Sequence, residues 1–162
     1  MNLLGLLTQI AFLKTIWLNI ICCGLQFWKF PIIVYRYTYI RSCKGRIIFE
    51  APLHFGMLQI GRLRNGFQHP KDGTVWNVNG TVILKGKAAF GRGSRIDVGS
   101  NAILTIGNEF CSSGNTTIVC QKAVTFGDDN LLSWDTLLMD TDFHHIFDIA
   151  PPPKEYEYTK TN

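Results

Sequence analysis

Apolar side chains recur at every sixth position through the middle of this chain, and no other feature of the sequence restricts the fold as strongly. They form three triplets, which are Leu84, Phe90 and Ile96; Ile106, Ser112 and Ile118; and Phe126, Leu132 and Leu138. Eight of these nine residues are apolar, and the spacing between triplets is ten and then eight residues. An amphipathic helix requires apolar spacings of three and four, and a hairpin sandwich requires sustained alternation. The pattern instead predicts a solenoid of triangular β-coils, each burying its inward side chains against neighbouring coils.

Residues that favour tight corners follow several of these inward positions. Phe55–Gly56 and Ile60–Gly61 look like earlier copies of the same unit. Because Phe90 and Phe126 are 36 residues apart, we expect two turns of three six-residue repeats between them. The predicted corner residues are Gly91, Asp97, Gly107, Gly127 and Ser133.

The last triplet leads into a polar segment, residues 139–145, which reads Met-Asp-Thr-Asp-Phe-His-His. A stack of short, flat strands has no natural pocket, so a loop that leaves the stack with reactive side chains is the first candidate for a functional site. Histidine has an ordinary pKa near neutral pH and suits general acid–base work, and a nearby aspartate can hold its tautomer.

The repeat and this loop together resemble the hexapeptide-repeat acyltransferases, and are similar to bacterial capsule and lipopolysaccharide O-acetyltransferases. The resemblance covers residues 11–146 and is most specific over 126–146, in Leu-Ser-Trp-Asp followed by Met-Asp-Thr-Asp-Phe-His, and in the arm 14–35. It implies an all-β fold, a single-stranded left-handed parallel β-helix with a short N-terminal helical and extended arm. It also implies a homotrimer and acetyl-coenzyme A as the acyl donor.

The resemblance assigns the chemistry to particular residues of the loop. His144 aligns with the catalytic histidine of the family, and Asp142 would orient its ring; adjacent His145 is the alternative base. Asn115, Trp134 and Asp140 are the candidate acceptor-binding residues. The expected reaction moves an acetyl group to a hydroxyl or amine of a sugar, free or lipid-linked, in surface polysaccharide biosynthesis.

Two departures from the family pattern limit this prediction. Smaller sugar acetyltransferases of the superfamily carry an asparagine and an acidic residue one coil before the histidine, whereas this chain has no acid there, so no galactoside or maltose specificity is carried over. The resembling enzymes also continue past the histidine loop with further coils that hold much of the donor, and these coils look missing here. We therefore expect weak donor binding by this chain alone.

The sequence divides into three parts. We expect an arm and cap over 1–50, a β-helix over 51–149 with a loop insertion at 62–79 and a catalytic-type loop at 139–149, and a polar tail at 150–162. Within the arm, a short helix would precede an extended piece at 31–39 that covers the open edge of the first coil. Trp76 would anchor the inserted loop.

Charge and cysteine content bear on partners and location. The first 60 residues carry six basic side chains and one acid, which permits weak association with an anionic membrane face, while the stretch between Lys14 and Lys29 is too short to cross a bilayer. Nothing in the pattern indicates nucleic-acid binding. Five cysteines without CxxC spacing are expected to be reduced and buried, which favours a cytoplasmic protein, peripheral at most to the inner membrane face.

Two other functions stay open. A γ-type carbonic anhydrase would share the coil but requires three histidines that bind zinc across a subunit interface. His54 and His69 lie far upstream of the His144–His145 pair, so no metal site is expected. A non-catalytic β-helix scaffold is the stronger alternative.

Overall fold

The computed structural model describes residues 7–63, 66, 68–69 and 71–144, in which β-strands are the predominant regular secondary structure. Within these ranges, one α-helix of more than a single turn, α1 (Phe12–Cys23), and a 3-10 helix (Gly24–Lys29) come before the strands. The strands form three sheets. Sheet 1 contains β1 (Ile32–Val34), β4 (Leu58–Arg62), β7 (Ala88–Gly91), β10 (Phe110–Ser112) and β13 (Leu131–Leu132). Sheet 2 contains β2 (Thr38–Cys43), β5 (Thr74–Val78), β8 (Arg95–Val98), β11 (Thr117–Cys120) and β14 (Leu137–Met139). Sheet 3 contains β3 (Arg46–Phe49), β6 (Thr81–Leu84), β9 (Ile103–Ile106) and β12 (Ala123–Phe126).

The order of the strands repeats with a period of three. Each strand pairs in parallel with the strand three places later, so the chain passes through sheets 1, 2 and 3 in turn and then returns to sheet 1. We call three consecutive strands, one in each sheet, a rung. Stacked rungs of parallel strands are consistent with the parallel β-helix that the six-residue repeat predicts.

The number of residues in one rung differs from the prediction. Phe90 pairs with Ser112, 22 residues later, and Ser112 pairs with Leu132, 20 residues later. Phe126 lies in sheet 3 and pairs with Ile106. The expectation of two turns of three hexads between Phe90 and Phe126 is therefore wrong, because the corners between strands hold extra residues that the six-residue spacing does not count. Each predicted triplet instead supplies one inward residue to each sheet of a single rung.

The predicted inward positions form the core. The first six, from Leu84 to Ile118, are fully buried, Phe126 is 8% exposed, and Leu132 and Leu138 are partly buried against the same cluster. Of the two earlier units, Ile60 is buried in β4, but Phe55 is 70% exposed and does not belong to the core. Asp97, predicted as a corner, lies inside β8.

Ser112 fills its inward position because an aromatic column needs the space. Four buried rings follow one another through the interior, with centroid distances of 5.7 Å from Trp76 to Phe90, 5.4 Å from Phe90 to Phe110 and 4.9 Å from Phe110 to Phe126. In sheet 1, Ala88 pairs with Phe110 and Phe90 pairs with Ser112, so each large ring faces a small residue. The Ser112 hydroxyl accepts a hydrogen bond from the Gly91 N–H at 3.3 Å.

Helix α1 covers the edge of β1 with polar side chains. Asn19 Oδ1 accepts a hydrogen bond from the Ile32 N–H at 3.0 Å, and Asn19 Nδ2 donates to the Ile32 carbonyl at 2.6 Å. Thr15 Oγ1 accepts from the Val34 N–H at 3.0 Å. Because an edge strand otherwise presents unpaired backbone groups, these two side chains take the place of a neighbouring strand.

The part boundaries also differ from those predicted. Strands β1, β2 and β3 lie within the predicted arm of residues 1–50, and β1 and β2 pair with β4 and β5. The predicted extended piece at 31–39 thus contributes to the first rung. The predicted loop insertion at 62–79 ends in β5, where Trp76 is a fully buried core residue. The polar tail at 150–162 and His145 lie outside the described residues.

Candidate functional site

The histidine loop begins at Asp140, directly after β14, and the Asp140 carboxylate binds the backbone of the preceding rung. Its Oδ1 accepts the Gln121 N–H at 2.6 Å, and its Oδ2 accepts the N–H groups of Lys122 and Ala123, each at 2.8 Å. Burial acts to raise the pKa of Asp140. Hydrogen bonds from the N–H groups of Gln121, Lys122, Ala123 and Asp140 itself outweigh the effect of burial and lower the pKa. Both oxygens accept hydrogen bonds in this way, so Asp140 holds the start of the loop to the preceding rung.

The ring of His144 is oriented by the backbone two residues earlier. Its Nδ1 lies within hydrogen-bonding distance of the Asp142 carbonyl oxygen. A carbonyl only accepts, so Nδ1 carries the proton, and Nε2 is left as the basic nitrogen. The Asp142 carboxylate accepts the backbone N–H of His144 at 3.0 Å. Asp142 therefore contacts the His144 ring through its main-chain carbonyl and the His144 backbone through its side chain.

The two other candidate acceptor residues lie at the corner between sheets 1 and 2. Asn115 has a positive φ of 50°, and its N–H donates to the Arg92 carbonyl at 3.0 Å. Asp135, one rung later, has φ 56°, and its N–H donates to the Gly114 carbonyl at 3.2 Å. Trp134 precedes it and is 53% exposed. Asn115 and Trp134 thus lie on adjacent rungs of one corner.

The described part of the inserted loop contacts this same corner. Gln68 is 6% exposed, and its Nε2 donates to the Arg92 carbonyl at 3.0 Å, the same oxygen that accepts the Asn115 N–H. A Cβ atom added at Gly114 would collide with Gln68, so only glycine leaves room for this contact. Gln68 thus holds this part of the loop beside Asn115.

The two groups of candidate residues lie at opposite ends of sheet 2. Asn115 and Trp134 precede β11 and β14, whereas Asp140 and His144 follow β14. A strand of three residues spans about 10 Å. Within one chain, the length of β14 therefore separates the exposed tryptophan from the exposed histidine.

A shallow groove of about 490 Å³ lies on the outer face of sheet 2, between these two ends. Arg95 and Asp97 point into it from β8, and Asn77 Nδ2 donates to Asp97 Oδ1 at 2.6 Å. Sequence reasoning missed this groove. The available signal was the alternation within each strand, which turns residues next to the inward positions outward. The side chains that complete the groove are Arg41, Val75, Thr117 and Val119.

Neither the Cys120 thiol beside Asp140 nor the Cys22 thiol of α1 offers a nucleophile. Burial first, and then the neighbouring Asp140, raise the pKa of Cys120 to about 11, and Cys120 Sγ lies 3.9 Å from Asp140 Oδ2. Burial and the adjacent Cys23 and Cys43 raise the pKa of Cys22 to about 12. The reactive form of cysteine is the thiolate, so these groups stay neutral and unreactive near pH 7. All five cysteines are free, and Cys120 is the buried one, the others being partly buried.

Among the described residues, no three His, Cys, Asp or Glu side chains come together in a way that could hold a metal ion. No helix there has both the length and the apolar character required to cross a bilayer.

Comparison with known proteins gave no match, whether with protein-family models, curated proteins or solved structures.

Proposed function

We propose that this chain is an acyltransferase whose three sheets form a left-handed parallel β-helix, and that it moves an acetyl group from acetyl-coenzyme A to a hydroxyl or amine of a sugar. The observation that carries the proposal is the geometry of the loop at 140–144. Asp140 holds the start of the loop to the preceding rung, and the Asp142 carbonyl fixes the tautomer of an exposed histidine.

The chemistry follows from the free nitrogen of His144. Its Nε2 would accept the proton of the sugar hydroxyl while the hydroxyl oxygen forms a bond to the acetyl carbon. The bond from that carbon to sulfur then breaks, and the imidazolium returns the proton to the departing thiolate. The Asp142 carbonyl, through Nδ1–H, stabilises the positive charge that the ring carries between these two steps.

The position of the acceptor requires a second subunit. Since β14 separates Trp134 from His144, we propose a threefold assembly in which the corner of Asn115 and Trp134 faces the histidine loop of a neighbouring copy. Exposed apolar residues on the last rung, Leu131 at 72% and Leu137 at 64%, supply surface that such a contact would bury. Trp134 would then stack on a sugar ring, and Asn115 would hydrogen-bond to its hydroxyls.

The alternative is a non-catalytic scaffold, and one observation favours it. His144 is exposed to solvent, and the groove on the outer face of sheet 2 is open and has none of the described residues of the histidine loop in its lining. Enzymes usually enclose their reacting groups in a concave site. A scaffold would keep the stacked rungs without any role for the histidine.

An assay that measures release of the coenzyme A thiol in the presence of hexoses and amino sugars distinguishes acyl transfer from a scaffold role. We expect His144→Ala to lower the rate by about 10²- to 10⁴-fold, the usual contribution of a general base. His54→Ala is the matched control, because His54 is also exposed but lies before β4, and it should leave the rate unchanged. Asp142→Asn should lower the rate only a few-fold, since the variant keeps the backbone carbonyl that binds the His144 ring.

Full activity of His144→Ala would refute the catalytic assignment. Because weak donor binding is expected of this chain alone, the assay uses millimolar acetyl-coenzyme A, and absence of thiol release by the wild type at that concentration would favour the scaffold. Sedimentation equilibrium checks the assembly, and a monomer at micromolar concentration would contradict a site shared between subunits.

A further inference from the structure

Helix α1 places its polar residues against the protein and its apolar residues outward. Thr15 and Asn19 are 4% and 0% exposed because they bind the edge of β1. The opposite face carries six large apolar side chains, of which Leu13 is 84% exposed: Phe12, Leu13, Ile16, Trp17, Ile20 and Ile21. A helix on the surface of a protein in water normally has the reverse arrangement.

The 3-10 helix that follows extends this surface. Leu25 is 94% exposed and Trp28 is 64% exposed. We call these two residues, together with the outward side chains of α1, the apolar face. Contiguous apolar surface of this kind marks a contact with another molecule.

Positive charge borders the apolar face. Lys14 and Lys29 lie on the two helices, and Lys29 Nζ is 5.7 Å from the centroid of the Trp28 ring. Arg36 lies in the turn after β1, where its N–H donates to the carbonyl of Gln9 just before α1 at 2.7 Å. Among the described residues 7–63, Glu50 is the only acid. The remaining cations of the first rung are Arg41, Lys44 and Arg46.

We propose that the apolar face lies in the surface layer of an anionic lipid bilayer. Twelve residues of α-helix are about 18 Å long, which suits a helix parallel to the membrane plane. Trp17 and Trp28 have the amphipathic rings that partition to the interface between lipid and water. The surrounding lysines and arginines then pair with acidic headgroups. This inference does not depend on the proposed acyl transfer.

The charges decide between a bilayer and a second copy of the chain. In a twofold contact between two apolar faces, the cations of one copy come close to the same cations of the other copy. These like charges repel each other. An anionic bilayer neutralises those cations as it buries the apolar side chains. A lipid bilayer therefore accounts for both the apolar side chains and the cations of this surface, whereas a second copy accounts for the apolar side chains alone.

Co-sedimentation of the full chain with vesicles tests the proposal. We expect binding to mixed phosphatidylcholine and phosphatidylglycerol vesicles, weaker binding to pure phosphatidylcholine, and a loss of binding as salt rises. The double variant Leu13→Glu/Leu25→Glu should lower the partition coefficient by at least about tenfold, because each leucine is almost fully exposed and would otherwise enter the lipid. Both positions are on the surface, so the fold is expected to survive.

A second double variant, Ile103→Glu/Thr125→Glu, is the matched control. It adds the same two carboxylates at exposed positions of sheet 3, which belongs neither to the apolar face nor to the proposed subunit contact, and should bind vesicles as the wild type does. Quenching of tryptophan fluorescence by lipids with brominated acyl chains reports which residues enter the membrane. We expect quenching in the wild type and its loss in Trp17→Phe/Trp28→Phe, although Trp76 and Trp134 remain.

Equal binding of both vesicle types, or unchanged binding of Leu13→Glu/Leu25→Glu, would overturn the proposal. It would also be overturned if the wild type bound no vesicles and instead formed a larger species in sedimentation velocity that Leu13→Glu/Leu25→Glu dissociates. That result would assign the apolar face to a second copy of the chain.

Discussion

Removing the ring of Phe90 should destabilise the protein more than removing any exposed ring. Phe90 is fully buried at the middle of the aromatic column and contacts both Trp76 and Phe110. Phenylalanine-to-alanine changes in cores cost about 3 to 5 kcal/mol, which includes the cavity that remains. We expect the upper part of that range, because Phe90→Ala also loses two ring contacts worth about 0.5 to 1.5 kcal/mol each.

The assay is urea unfolding followed by circular dichroism, with two reference variants. Phe126→Ala removes a ring that is 8% exposed and has one partner in the column, so it should cost less. Phe55→Ala removes a ring that is 70% exposed, and should change the free energy of unfolding by less than about 0.5 kcal/mol. If Phe90→Ala were no less stable than Phe55→Ala, the stacking of the rungs around this column would be refuted.

Two further changes test the loop anchor and the packing of the core. Asp140→Asn should cost about 1 to 3 kcal/mol, because an amide cannot accept all three N–H groups that the carboxylate binds. Folding lowers the pKa of Asp140, so the difference in the free energy of unfolding between wild type and Asp140→Asn should be complete above the ordinary pKa of 3.8 and should shrink as pH falls below it. A difference that grows in acid would contradict the role of Asp140 as the loop anchor. Ser112→Leu should destabilise by about 1 to 3 kcal/mol through overpacking against Phe90, although leucine matches the repeat better than serine. Thermal unfolding of this variant checks the claim, and a gain in stability would contradict it.

The candidate site could be predicted in part. The loop and the alignment of His144 were available from the residues, because a histidine between aspartates at the end of a repeat is visible in the chain order. The partners of Asp140 were not, since Gln121, Lys122 and Ala123 approach it only when one rung stacks on the next. For the same reason, Trp134 is close to the loop in sequence but separated from it by β14.

The sequence by itself determined which side chains point inward. Alternation along a strand is a local property of the backbone, so the six-residue spacing identified Leu84, Phe90, Ile96 and their equivalents without knowledge of their neighbours.

Only the tertiary structure decided what lies against those side chains. The number of residues in the corners between strands sets the pairing of Phe90 with Ser112. The size of the Phe90 ring explains why a small serine lies opposite it. The outward apolar face of α1 likewise depends on the edge of β1, which draws Asn19 and Thr15 inward because its backbone groups require partners. These features rest on contacts between residues far apart in the chain, and local spacing carries no information about such contacts.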